Sequence, residues 1–139
     1  MKNVLEFLEN TAPVCGDKTA FSDGVESLSF AELAQLSRAG GSALIARGLK
    51  NEPVAVFMKK APKTIAAFFA VLYAGCYYVP LDASMPLYRL QMIFERLSPR
   101  AVVCDEASRE LAERLSPESS VISASELFAV DENAEALAA

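Results

Sequence analysis

The sequence predicts an α/β domain: a three-layer, mostly parallel sheet flanked by helices, preceded by a helix and a small β-hairpin. Three observations carry this. Residues 54–58, 76–79 and 101–104 are unalternating apolar runs of strand length, as expected of strands covered on both faces in a parallel sheet. Between them lie segments of helical length with proline near the start and glycine or Ser-Pro after the end, the asymmetry of soluble helices. The strict alternation of the two kinds of segment implies right-handed crossovers. A length of 139 residues suits a single domain.

Taken in order, Val4, Leu5 and Leu8 stand at helical spacing before Pro13 and predict a short opening helix. Residues 18–30 read as two short strands around Asp23-Gly24, a pair that favours the positive backbone angles of a tight hairpin turn. Ser29 with Glu32 three residues on forms a capping box and starts a helix. Phe30, Leu33, Leu36, Leu44 and Ile45 give that helix an apolar face, and Gly48 stops it after Arg47. Gly40-Gly41 lies inside it and costs about 1 kcal/mol per glycine relative to alanine, so we read close backbone packing there rather than a break.

After the strand at 54–58 come a helix over 62–74, a strand over 76–79 that Pro80 ends, a helix over 86–97 and a strand over 101–104. A further helix over 108–115 leads to a last strand at 120–122. We expect the organised unit to span residues 1–123. Residues 124–139 form an acidic tail, helical or frayed, with little to bury beyond Leu127 and Phe128.

Composition excludes several function classes. The net charge of −5 is uneven: residues 1–100 carry eleven basic and nine acidic groups, whereas residues 101–139 carry two and nine. Nucleic acid binding requires a basic stripe, and three lysines near position 60 do not make one. The 18 uncharged residues from 64 to 81 reach the length of a membrane span, but Pro62, Gly75 and the change to strand-forming types after Gly75 read as helix, turn and strand. No membrane partner is expected, and the chain is placed in the cytoplasm. Cys15, Cys76 and Cys104 lack CxxC spacing, and no histidine is present. Zinc and a histidine-based triad are therefore not expected, and the cysteines read as small buried apolar residues of a reducing compartment.

Ligands of such sheets bind at the carboxyl ends of the strands. The six glycines form neither GxGxxG nor GxxxxGK[ST]. Lys59, Lys60 and Lys63 follow the strand at 54–58 and offer positive charge for an anion at the next helix start, although a solvated surface is the simpler reading. Asp82 either caps the following helix or orients a loop, and Arg89 one turn into that helix is available to pair with it. A lone acid without a base, nucleophile or metal partner defines no reaction.

The segments Leu28-Ser29-Phe30-Ala31-Glu32-Leu33 and Val71-Leu72-Tyr73-Ala74-Gly75-Cys76-Tyr77-Tyr78-Val79-Pro80-Leu81-Asp82 resemble the first two core motifs of adenylate-forming enzymes. That family comprises acyl-CoA synthetases, luciferases and the adenylation domains of nonribosomal peptide synthetases. Pro86, Arg89 and Leu90 continue the second motif in the family's manner, and its wording is nearest the amino-acid-activating branch. Cys76, Ala83, Met85 and Tyr88 depart from the usual residues.

The resemblance implies the opening portion, an incomplete N-terminal subdomain, of an ATP- and Mg-dependent ligase. Such a ligase activates a carboxylate as acyl-AMP and passes it to a thiol, coenzyme A or a carrier protein. It further implies that the phosphate loop, the magnesium-binding acid, the ribose aspartate and the lid lysine follow residue 139. No catalytic, cofactor-binding or metal-binding residue is therefore assigned within 1–139. The chain alone is expected to be inactive, to bind no nucleotide and to pair with the remainder of its parent, with self-association through exposed apolar surface. The contrasting reading is a free-standing α/β interaction module without catalysis.

Overall fold

Four parallel strands form the central sheet of the computed structural model, which describes residues 9–10, 14, 17–82 and 84–129. A two-stranded antiparallel hairpin, β1 (Thr19–Ser22) and β2 (Ser27–Ser29), precedes it. Helix α1 (Phe30–Ala46) follows, then β3 (Pro53–Phe57), α2 (Pro62–Tyr73), β4 (Tyr77–Leu81) and α3 (Leu87–Leu97). The chain continues through β5 (Ala101–Cys104), a 3₁₀ turn (Glu106–Ser108), α4 (Arg109–Leu115), β6 (Ser120–Ser123) and α5 (Ala124–Phe128). Strand order in the sheet is β4-β3-β5-β6, every neighbour parallel. The expected class and layering are those observed. The opening helix expected near residues 4–8 lies outside the described residues, although Glu9 and Asn10 are helical.

Alternation along the strands explains their unbroken apolar runs. Val54, Val56, Val103 and Ile122 pack on one face against α1, α2 and Leu127 of α5. Ala55, Phe57, Val102 and Cys104 pack on the other against Leu90 and Phe94 of α3 and Ala112 of α4. Successive side chains point to opposite faces of a strand, so with helices on both sides neither parity needs to be polar. Full burial of each such Val or Phe contributes about 1.5–3 kcal/mol. Leu28 of the hairpin joins Leu33 of α1 and Ala66 of α2 in a third cluster, which ties β1-β2 to the helical layer.

Helix α1 starts where the capping box places it: Ser29 Oγ accepts from the Glu32 amide at 3.1 Å and Glu32 Oε1 accepts from the Ser29 amide at 2.9 Å. The helix runs unbroken through Gly40-Gly41. A Cβ on Gly40 would lie 2.7 Å from Ala70 Cβ and 3.2 Å from Leu127 Cγ, so the missing side chain allows α1 to sit directly on α2 and α5. Helix α2 has proline in its first turn and ends before Gly75, whose φ of +77° suits glycine.

One local expectation needs correction and two gain detail. The hairpin turns around Asp23-Gly24 as expected, with the four residues 23–26 between β1 and β2. Asp23 Oδ1 accepts from the amides of Val25 (2.9 Å) and Glu26 (2.8 Å), while Gly24 takes the positive φ of +87°. Pro80 does not end pairing but lies inside β4, in register with Val56. β4 borders only β3 in this sheet, and a proline whose missing donor faces away from its neighbour is compatible with an edge strand. The helix expected over 108–115 is observed as α4 (Arg109–Leu115), preceded by the 3₁₀ turn at 106–108, where Asp105 Oδ1 accepts from the Ser108 amide and tightens the entry.

Candidate functional site

Two clefts lie at the carboxyl ends of the strands, on either side of the loop 58–61 that joins β3 to α2. The first, of about 490 Å³, is floored by Val56, Ile65, Phe68 and Leu81 and rimmed by Lys60 and Asp82. The second, of about 430 Å³, lies between α1, α5 and the ends of β3 and β5, with Lys59, Lys63, Asp105, Glu106 and Glu26 among its walls. Both fall in the size range of small-molecule sites.

The loop between them is held by hydrogen bonds from two directions. Asp105, the residue after β5, accepts from the Lys59 amide through Oδ2 and from the Ser108 amide through Oδ1, each at 2.9 Å. Thr64 Oγ1, one turn into α2 and buried, donates to the Lys59 carbonyl. These bonds satisfy backbone groups at the sheet rim that no strand or helix reaches. The sequence reading did not single out Asp105. Its signal was an acidic residue directly after an apolar strand with Ser108 three residues on, the pattern of a helix cap.

Lys59, Lys60 and Lys63 do not converge on one point. Lys60 faces the first cleft, and Lys59 and Lys63 border the second. All three are exposed. Asp82 orients a loop and does not cap α3, whose start is Pro86. Its Oδ1 accepts from the Ser84 amide at 2.5 Å and its carbonyl accepts from the Met85 amide. The contacts with Ser84, hydroxyl and amide, hold the Asp82 carboxyl below its usual range, and the nearby Lys60 charge adds to this. Asp82 therefore stays ionised at neutral pH. The ion pairs described here join Arg38 to Glu9, Arg100 to Glu52, and Arg109 to Glu113 and Glu126. None links Arg89 to Asp82.

Burial pushes the Cys104 thiol up to about 11 and raises that of Cys76 as well, so both are protonated and unreactive at neutral pH. Cys15 lies outside the described residues. Among the described residues no group of three or more His, Cys, Asp or Glu side chains is placed to hold a metal ion, and no helix is long and apolar enough to cross a membrane. This rim supplies fixed backbone, two concave apolar surfaces and scattered charge. It does not assemble a nucleophile with a base, or donors around a phosphate.

Comparison with known proteins follows the same outline. The family model described as AMP-binding enzyme matches residues 8–138. Tenellin synthetase of Beauveria bassiana (strain ARSEF 2860) is 37% identical over 100 residues, 71% of this chain and 2% of the relative. A structure of the nonribosomal peptide synthetase FmoA3 in an alpha-methyl-L-serine-AMP bound form superposes with a TM-score of 0.82 at 26% identity, covering 91% of this chain and 14% of that one. VinN in complex with 3-methylaspartate superposes with a TM-score of 0.81 at 23% identity, covering 91% of this chain and 35% of that one. The chain thus spans about a third of the length of VinN and much less of the other two.

Proposed function

This chain belongs to the AMP-binding enzyme family, and from that premise we propose that it is the opening scaffold of an ATP-dependent ligase that activates a carboxylate as acyl-AMP and transfers it to a thiol. The observation that carries the proposal is the match over residues 8–138 combined with a sheet that superposes on the alpha-methyl-L-serine-AMP bound form of the nonribosomal peptide synthetase FmoA3 while spanning only part of it.

Within this reading residues 1–123 make the start of the N-terminal subdomain, with α5 (Ala124–Phe128) packed onto it through the buried Leu127. The role of the residues present is architectural. β3, β5 and their loops fix the rim at which the two clefts open, and the apolar floors exclude water from whatever closes over them. The α-phosphate of ATP and the developing acyl-phosphate bond need preorganised donors or a metal. The described side chains do not gather into such a set, so within the proposal ATP and Mg are held by groups outside 1–139, and the isolated chain is inactive. Exposed Tyr77, Leu87, Tyr88 and Met92 on β4 and α3 support pairing with the remainder of the parent and self-association when it is missing. A cytoplasmic location accompanies this reading, supported by two buried unpaired thiols.

The test is ATP–pyrophosphate exchange across a panel of amino and fatty acids, run on the 139 residues alone and on the protein extended beyond residue 139. Exchange by the extended protein only is the expected result. Turnover by the 139 residues alone overturns the assignment of the chemistry to residues outside them.

A further inference from the structure

The second cleft, between α1, α5 and the ends of β3 and β5, holds a carboxylate that the fold leaves without a donor. Glu26 closes the hairpin loop, and its backbone is fixed there: its amide donates to Asp23 Oδ1 at 2.8 Å and its carbonyl accepts from the Asp23 amide at 3.2 Å. Its side chain is not fixed in this way. Oε1 is hidden from solvent and, among the described residues, has no hydrogen-bond partner. A hidden polar atom of this kind carries its desolvation cost until a donor reaches it. The two lysines that border the same cleft do not supply that donor. Lys59 and Lys63 are exposed, and neither makes an ion pair among the described residues.

We infer that this cleft is a binding site for an organic ammonium ion, a small molecule that donates a cationic N–H to Glu26 from an apolar body. The inference does not rest on the ligase reading. Leu36, Met58, Ala61 and Phe128 give the body an apolar floor, and the face of an aromatic ring such as that of Phe128 attracts a cation. Three carboxylates in the lining, Glu26, Asp105 and Glu106, outnumber the two lysine ammonium groups by one. Placement decides more than the count. Asp105 is engaged by the Lys59 and Ser108 amides, while Glu106 and both lysines stand in water, where charge is screened and long side chains turn outward. Glu26 alone combines a hidden oxygen with no partner, so its charge acts at the lower effective dielectric. An anion seated on the lysines would add a like charge beside Glu26 and still bring Oε1 no donor. The volume of about 430 Å³ suits a small ligand. Turning Oε1 onto that ligand takes a side-chain rotation on a backbone already held, which keeps the ordering cost of binding small.

Titration of the 139-residue chain with 2-phenylethylammonium, followed by NMR, tests the inference, with 3-phenylpropanoate as an anion of similar size. The ammonium ion is expected to saturate with a Kd in the millimolar range or tighter, shifting the Leu36 and Met58 methyl signals, and to bind more tightly than the anion. Glu26→Gln should weaken it at least about tenfold without lowering Tm, since the carboxylate it replaces has no partner to lose. The double variant Lys59→Gln, Lys63→Gln keeps the question open to refutation if Glu26→Gln does not fold: removing two like charges should leave ammonium binding as tight or tighter. Absence of saturation, equal or tighter binding of the anion, shifts confined to the first cleft, unchanged affinity in Glu26→Gln, or weaker ammonium binding in the lysine variant each overturns the assignment.

Discussion

Replacing Gly40 with alanine sets two effects of known sign against each other at one atom. An alanine in the middle of α1 restricts the unfolded chain and removes the glycine penalty, a gain of about 1 kcal/mol. The same methyl would stand 2.7 Å from Ala70 Cβ and 3.2 Å from Leu127 Cγ, whereas carbon atoms pack at roughly 3.5–4.0 Å. The Leu127 contact involves a side chain that can turn. Ala70 Cβ is fixed to the backbone of α2, so α1 and α2 must part by most of an ångström along a buried interface, and overpacking of this kind costs about 1–3 kcal/mol. Taking the middle of that range, G40A loses about 1 kcal/mol, or a few degrees in Tm for a chain of this size. Thermal unfolding followed by circular dichroism, with A70G and the double variant completing the cycle, is the assay. A70G removes the opposing methyl, so the double variant should exceed the sum of the singles by at least about 0.5 kcal/mol. A rise in Tm for G40A together with additivity in the cycle would refute the close-approach argument, because it would leave only the helix-propensity gain.

Other consequences are sharper still in sign. Ser29→Ala removes the acceptor for the Glu32 amide and should cost about 1 kcal/mol of stability in urea unfolding. Glu32 has its pKa lowered from 4.5, chiefly by the Ser29 amide; the folded form thus releases its proton more readily than the unfolded one, and the stabilisation is present above pH 4.5 and is lost as pH falls through the folded value. Glu32→Gln should therefore flatten the acid limb of the stability curve. Asp105→Ala strips acceptors from the Lys59 and Ser108 amides and should lower stability by about 1–3 kcal/mol, with faster exchange of the Lys59 amide as the specific readout. The Cys104 thiol, raised to about 11 from 9.0, should resist alkylation in the folded protein at neutral pH. Because the unfolded thiol ionises first, its contribution holds below pH 9 and is lost between pH 9 and 11, a decline that Cys104→Ser should remove.

The elements that were legible in the sequence are those whose signal is local. The capping pair Ser29 and Glu32 acts across three residues, and Gly75 ends α2 through its own φ. Where a residue's meaning depended on its neighbours in space, the reading slipped. Pro80 looks like a stop until β4 is known to be an edge. Leu127 looks like one of two apolar residues, with Phe128, in an acidic tail until Gly40 is seen to leave room for it, and then it is fully buried. Here a local signal existed and was passed over: Ser123 and Glu126 repeat the S-x-x-E spacing, and Ser123 Oγ accepts from the Glu126 amide to start α5.

The rim was the least legible part, for a reason that follows from its construction. Its order comes from Asp105, which stands 46 residues from Lys59 along the chain, and the parallel crossover β3-α2-β4 followed by α3 and β5 is what brings the two together. A lysine run looks like an anion site only while its charges are imagined together. The short loop directs Lys60 to one cleft and Lys59 and Lys63 to the other, and surface charges held apart in this way are screened within about 8–10 Å at ordinary salt. Concentrating enough positive potential to hold a polyphosphate would take donors arriving from another element. In the ligase proposed above, the apolar floor beside Phe68 and Leu81 would give that element a surface to rest on, with Asp82 fixed at its border as an ionised acceptor.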